Sequence, residues 1–523
     1  MLFGLAGGGA LVALASFWPS LHAVADPAAL AKLQLAPFGD RVSGVAVFDA
    51  QGRRVPVTVR SGRVWPERAL APGAKLTIKA TVRRASWIGW LVGRSERVQL
   101  VETAPEVRLA AQVVTVGPDG LVRLRFDAPV AHLAVAGAGT PRHQIDFAQP
   151  RTVVSTGIHA SGTHRAGSLL VAAAPRAWES LPAPERVAFF PASPRVQALV
   201  TPAPAASLDP TQPIEIILSR PTAEVLGSAQ PAIVPAIAGR WSSLDSYTLV
   251  FQPAGLGFKL GTHVQITLLR PVDVVAGSRI ISRRTLSWQV PTPSTLRLQQ
   301  LLAKLGYLPL TWRPQGADAP KTAAAQTQAA IHPLAGTFGW RYSNTPPQLA
   351  ALWRQGRWTT MIQAAVMTFE SEHGLAVDGI AGPKVWQALL ADLLAGRRSN
   401  RGYSYVLVHR TVPQTLVLWH NGATLLQARV NTGVPAAPTP FGTHAVFEHH
   451  PSGTMSGVNP NGSHYHDPGI RWISYFNGGE AIHGFNRATY GFPQSVGCVE
   501  APVATAARIW PYTPIGTLVT ITQ

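Results

Sequence analysis

The chain has 523 residues, of which 46 % are hydrophobic and 14 % charged. That is long enough for several domains with separate cores and too apolar for an unfolded chain. Lys and Arg number 45 against 26 Asp and Glu, a formal charge of +19 that favours anionic partners. The arginines are scattered, with no basic arm and no nucleic-acid motif, so the expected partners are anionic wall polymers or lipid headgroups and not nucleic acid. A single cysteine excludes an intrachain disulfide.

Residues 1–25 carry no charged side chain before Asp26 and include the apolar run Leu11 to Trp18. They read as a signal sequence, with Ala23-Val24-Ala25 as a small-x-small cleavage site, or as a membrane anchor. Either places the protein in the extracytoplasmic cell envelope, membrane-anchored or secreted. Residues 26–105 read as a β module: Lys75 to Val82 has a clean period of two, and Ala71-Pro72-Gly73 is a turn before it. In the same module the apolar Trp87 to Val92 reads as core or a sheet face, or as a protein-binding patch. Residues 106–194 form a second β-rich unit, with Leu121 to Phe126 as a strand. Residues 195–292 hold three clear strands, Ile214 to Leu218, Tyr247 to Gln252 and Gly261 to Leu268, and resemble a bacterial immunoglobulin-like sandwich. The three modules are expected to act as spacers.

The pattern changes at 293–395. Leu298, Leu301, Leu302 and Leu305 recur at helical spacing, and a second helix runs from Thr360 to His373 with Gly374 as its stop. A third carries Val385, Trp386 and Leu389. The stretches Leu298 to Tyr307 and Phe369 to Leu389 resemble a small three-helix peptidoglycan-binding domain. About fifty residues, Thr311 to Trp358, replace its tight inter-helix link, and the Ala/Gln-rich Thr322 to Ala330 within them reads as mobile.

Residues 402–523 are β-rich, with Asn421-Gly422 as a hairpin turn. They contain the lone cysteine in Ser495-Val496-Gly497-Cys498, fifteen residues after His483-Gly484. A free thiol is mostly un-ionised at neutral pH, and a neighbouring imidazole raises its reactivity. His-Gly followed by Ser-x-Gly-Cys resembles the signature of the L,D-transpeptidase (YkuD-type) catalytic domain. Gln414 to Trp419, Asn431-Thr432-Gly433, Pro438 to Gly442 and Gly516 to Ile521 match further landmarks of that domain. Two positions depart from the family pattern: Val496 stands where His is usual, and Glu500 where Arg or Asn is usual.

The resemblance implies a multidomain protein with mainly β N-terminal modules, a small helical domain and a C-terminal, mostly β catalytic domain. It implies a cysteine-dependent acyltransferase that cross-links peptidoglycan stem peptides through a thioester and releases terminal D-alanine. Cys498 is then the nucleophile and His483 its base. Gly497, Ser495 and Gly484 shape the oxyanion loop, and Tyr465 and Met455 line the substrate pocket. Stem peptides and glycan are the expected partners, the N-terminal segment reaches the membrane, and no cofactor or metal is called for. Two alternatives stand beside this. Val496 and Glu500 fit a catalytically decayed wall-binding protein. The dense histidines His444, His449, His450, His464 and His466, with Glu448 and Asp467, fit a zinc-dependent wall hydrolase.

Overall fold

The computed structural model describes residues 20–117, 119–137, 142–159, 166–276 and 279–523. Most of the apolar N-terminal segment therefore lies outside the described residues. Its last part, Leu21–Val24, is a strand pairing antiparallel with Ala31–Leu35, and Leu21 is buried in the first module's core. The Ala23-Val24-Ala25 motif thus sits on and just beyond a sheet strand. No helix among the described residues is long and apolar enough to cross a membrane.

The first module is two four-stranded sheets. In Lys75–Arg84 the alternation buries Leu76, Ile78, Ala80 and Val82 on one face, while exposed Lys75, Lys79 and Arg83 alternate with half-buried Thr77 and Thr81 on the other. Trp87 to Val92 is not a sheet face. Ser86–Val92 is a short helix that buries Ile88 and leaves Trp87 and Trp90 exposed. A helix of two turns offers no period-two face to a neighbouring strand. The second module is a five-stranded sheet whose longest strands, Leu121–Gly137 and His143–His159, form one hairpin. The third is a seven-stranded sheet whose strand Arg279–Gln289 carries the fully buried Trp288, and its indole N–H donates to the Pro202 carbonyl at 2.9 Å.

The helical region is built on Thr295–Leu305, Thr360–Glu372 and Pro383–Ala395. The long insertion is ordered, which corrects the mobile reading. Leu310–Pro314 and Gly336–Trp340 pair as a hairpin, and Ala323–Ile331 is a helix capped by the Thr322 hydroxyl. The polar Gln326 that suggested mobility is buried. Its amide oxygen accepts from the fully buried Arg297 guanidinium at 2.5 Å, and its amide nitrogen donates to the Ala319 and Pro320 carbonyls. A buried guanidinium needs such partners, and the insertion supplies them.

One apolar core runs from the third module through the helices to Tyr405, Trp419 and Leu518 of the C-terminal domain. Polar contacts tie the same surfaces: Tyr342 Oη donates to Asn421 Oδ1 at 2.7 Å, and Thr368 Oγ1 to the Ile515 carbonyl at 3.4 Å. The C-terminal domain itself holds nine strands. They are β1 (Ser404–His409), β2 (Thr415–His420), β3 (Ala423–Arg429), β4 (Gly442–Ala445), β5 (Glu448–Val458), β6 (His464–Asn477), β7 (Glu480–Gly484), β8 (Val499–Ala501) and β9 (Leu518–Thr522). One sheet has the order β3-β2-β1-β9-β4 and the other β5-β6-β7-β8. Val406, Val408, Leu416, Leu418, Ile482, Val499 and Ile521 fill the space between them.

Candidate functional site

Strands β7 and β8 are parallel, with Ile482 opposite Val499 and His483 opposite Glu500. Side chains alternate along a strand, so Ile482 and Val499 enter the core while His483, Glu500 and, one step before β8, Cys498 share the other face. That face floors a cleft of about 320 Å³, a volume in the usual range for ligand sites. His483, Cys498, Ser495, Tyr465 and Met455 all line it. Gly484 does not. It lies buried under the helix Val503–Ile509, where a Cβ would come within 3.0 Å of Val503 Cα. Its contribution to the site is its carbonyl.

That carbonyl lies 3.3 Å from Nδ1 of His483. A carbonyl only accepts, so the contact places the proton on Nδ1 and leaves the Nε2 lone pair free. Burial pushes the imidazole below the usual histidine range, so it is neutral at pH 7. The Cys498 thiol is pushed up to about 12, first by burial and then by Glu500 and Glu480, against one opposing backbone N–H from Ala481. The thiol and the imidazole that line this cleft are therefore both neutral at rest.

The loop before Cys498 is fixed from several sides. Gly497 has φ +106, a conformation suited to glycine. Ser495 Oγ donates to the Cys498 carbonyl at 2.6 Å. The N–H groups of Gly497 and Cys498 donate to no backbone carbonyl among the described residues, which leaves them free for a developing oxyanion. Thr439, from the segment after β3, accepts from the Gly433 N–H at 2.9 Å and donates to the Gly497 carbonyl at 2.8 Å. Asn431 exchanges two backbone hydrogen bonds with Glu500, both 2.9 Å, and its side chain accepts from the Gly491 N–H at 3.0 Å. The Asn431-Thr432-Gly433 and Pro438 to Gly442 landmarks thus brace the cysteine loop from behind.

Tyr465 and Met455 stand on the hairpin of β5 and β6. The ring of Tyr465 lies across Gly457, where any Cβ would meet its hydroxyl at 2.6 Å. Val496 is partly exposed on the cleft rim.

Sequence reasoning missed Arg487. It sits on the loop between β7 and β8, and its Nε and Nη2 each donate to the Glu500 carboxylate at 2.8 Å. Nη2 also donates to the Gln494 carbonyl at 3.3 Å, and the guanidinium lies 4.6 Å over the Phe485 ring. Glu500 is only 4 % exposed. A carboxylate at the position where the family pattern has Arg or Asn is thus matched by a guanidinium from another part of the same site. The only sequence signal was the anomaly of Glu500 itself, since a buried carboxylate demands a partner. Arg487→Gln is expected to strand that carboxylate at a cost of about 3 kcal/mol. Glu500→Gln should cost less, and the double variant should regain most of the loss. Thermal unfolding of the four proteins checks this, and a single Arg487→Gln no worse than Glu500→Gln would show that the pair contributes little.

The histidines of the zinc alternative do not converge. His449 stacks on Trp510 at 4.0 Å and contacts its carbonyl, His450 contacts Glu448 at the surface, and His466 contacts Ser456. No group of three His, Cys, Asp or Glu side chains suited to a metal is found among the described residues.

Residues 403–521 match the L,D-transpeptidase catalytic domain, and residues 343–389 match a peptidoglycan binding domain. The chain is similar to solved L,D-transpeptidases. One, from Mycobacterium smegmatis, is 11 % identical over 63 % of this chain and 100 % of that one, with a TM-score of 0.21. L,D-transpeptidase 3 from Mycobacterium tuberculosis is 11 % identical over 62 % of this chain and 97 % of that one, TM-score 0.21. The catalytic domain of the E. faecium enzyme is 22 % identical over 24 % of this chain and 100 % of that one, TM-score 0.21. No curated protein matches the chain.

Proposed function

We propose that the protein cross-links peptidoglycan in the cell envelope as a cysteine-dependent L,D-transpeptidase. The observation that carries this reading is the placement of the chain's sole thiol, one residue before β8, and a buried imidazole on the neighbouring parallel strand β7, both lining one cleft. In the first half-reaction Cys498 Sγ attacks the carbonyl of a donor stem peptide as its proton passes to His483 Nε2. The tetrahedral oxyanion forms against the Gly497 and Cys498 N–H groups. The C–N bond then breaks, His483 returns the proton to the leaving amine, and terminal D-alanine departs from a thioester. In the second half-reaction an amine of a neighbouring stem attacks the thioester, gives its proton to His483, and the C–S bond breaks with the proton returning to sulfur. Tyr465 and Met455 wall the donor side of the cleft. The helical domain binds wall glycan, and the immunoglobulin-like modules hold the catalytic domain away from an N-terminal segment that serves as export signal or membrane anchor.

The decayed-site alternative drew on Val496 and Glu500; the Arg487 guanidinium offsets part of the Glu500 charge, and Val496 stands on the cleft rim. Incubation of the full chain with tetrapeptide-bearing wall fragments is expected to yield a cross-linked dimer with loss of one alanine mass. Fragments bound but unchanged in mass would favour a non-catalytic wall-binding protein, and release of alanine without dimers would point to hydrolysis.

A further inference from the structure

The short helix Ser86–Val92 presents the two most exposed tryptophans of the first module, Trp87 at 57 % and Trp90 at 77 %. Their rings are not loose. Trp87 packs against Phe38 with ring centroids 5.8 Å apart, and the Trp90 indole N–H donates to the Trp87 carbonyl at 2.9 Å. With that donor satisfied internally, the outer surface of Trp90 is apolar. Leu35, 48 % exposed, extends the same edge, since Leu35 and the Ser20 carbonyl both lie against Gly39. Exposed aromatic clusters of this kind mark an interaction surface and not a monomer's ordinary face.

Cations surround it. Arg41 pairs in register with Arg83, and Arg97 pairs with Thr81, two residues along from Arg83, so the three share the solvent face of the sheet that the helix caps. Arg94 follows the helix directly. All four are exposed and none is ion-paired among the described residues. The acidic groups at this edge are Asp40 and Glu96, and Glu96 is spent on Arg84 at 3.0 Å.

The position of this edge decides its occupant. The described chain starts at Ser20, whose N–H donates to Glu96 at 3.0 Å and whose hydroxyl accepts from Arg84 Nε at 3.2 Å, at the base of the same helix. The nineteen residues before it contain no charged side chain. An apolar segment therefore joins the module beside two exposed tryptophans ringed by unpaired arginines. Tryptophan rings favour the headgroup level of a bilayer, and arginines favour anionic lipid.

We infer that the Trp87/Trp90 edge is a lipid-facing surface that seats the first module on an anionic bilayer where the N-terminal segment meets it. The inference rests on the envelope location proposed above but not on the transpeptidase chemistry. It also fixes which end of the β modules faces the membrane.

The test uses the full chain carrying Cys498→Ala so that one engineered thiol can be spin-labelled. The label is placed at exposed Ser86 (Ser86→Cys) or, as control, at Gln51 (Gln51→Cys). The latter lies in the turn at the far end of strand Gly39–Asp49, about 33 Å away at the usual rise per residue. On vesicles of phosphatidylcholine with phosphatidylglycerol, the label at 86 should gain oxygen collisions and lose collisions with a water-soluble nickel chelate several-fold, while the label at 51 stays in water. Trp87→Ala with Trp90→Ala should return the label at 86 to water, and Arg83→Glu with Arg94→Glu should weaken its protection. A chain that binds the vesicles with both labels in water overturns the lipid-facing edge and leaves the envelope reading standing. A chain that does not bind vesicles at all overturns the lipid-facing edge and leaves a secreted envelope protein, whose wall cross-linking is read separately. Protection at 86 already present without vesicles overturns the inference in favour of contact with a second copy.

Discussion

Cys498→Ala is expected to reduce cross-linking to the uncatalysed background. The chain has no other cysteine, so no neighbouring thiol can take over, and a thioester on this protein has one address. Losing a nucleophile removes the whole covalent route, a far larger loss than any positioning defect. The fold should survive. The thiol's contacts are to backbone groups, the Gly479 carbonyl at 3.8 Å and the Ala481 N–H, and the loop's own backbone is held by Ser495 and Thr439, not by the sulfur. A stability change of about 1 kcal/mol or less is expected. Intact-protein mass after incubation with a carbapenem gives the cleanest reading: a stoichiometric adduct on the parent chain and none on the variant. An adduct that persists on Cys498→Ala, or an unchanged yield of cross-links, removes Cys498 from the mechanism.

The proposed Cys498/His483 pair was legible because its chemistry is carried by rare residues in a local pattern. A lone cysteine behind a glycine and a His-Gly on an apolar run announce a strand end and a sharp turn. Period-two segments such as Lys75 to Val82 were legible for the same reason, since one face of the alternation is buried. What sequence could not show is what depends on distant partners. Thr439 reads as turn chemistry until the fold brings Gly497 to it, fifty-eight residues on. Arg487 reads as one of many scattered arginines until Glu500 closes on it. The Ala/Gln stretch after Thr322 looked mobile because its polar groups had no visible partners, and the buried Arg297 supplied one. Trp87 to Val92 was misjudged because a run of large apolar residues scores as core whether or not anything covers it. The composition of that helix is apolar, yet Ile88 is buried while Trp87 and Trp90 stand in solvent.

His483→Ala should slow acyl-enzyme formation by about 10²–10⁴-fold, the scale for losing a positioned proton acceptor. The pH dependence separates a base from a structural histidine. In the parent chain the thiol is held up to about 12, so almost none ionises on its own at neutral pH, and the rate depends on neutral imidazole receiving the proton. Burial depresses the imidazole, so its neutral form persists below the ordinary histidine range. The parent rate should therefore stay level through neutral pH and fall only in acid, as His483 becomes protonated. Without His483 the remaining route is spontaneous ionisation of Cys498. The variant's rate should then climb roughly tenfold per pH unit through the neutral and alkaline range, without a plateau below the thiol's raised value. A mere packing role for the ring would lower the rate at every pH while leaving the parent's profile shape intact. Parallel profiles for parent and variant, measured as carbapenem acylation rates, would assign the proton to some other acceptor in the cleft. Divergent profiles that approach each other in alkali would leave His483 as the group that receives it.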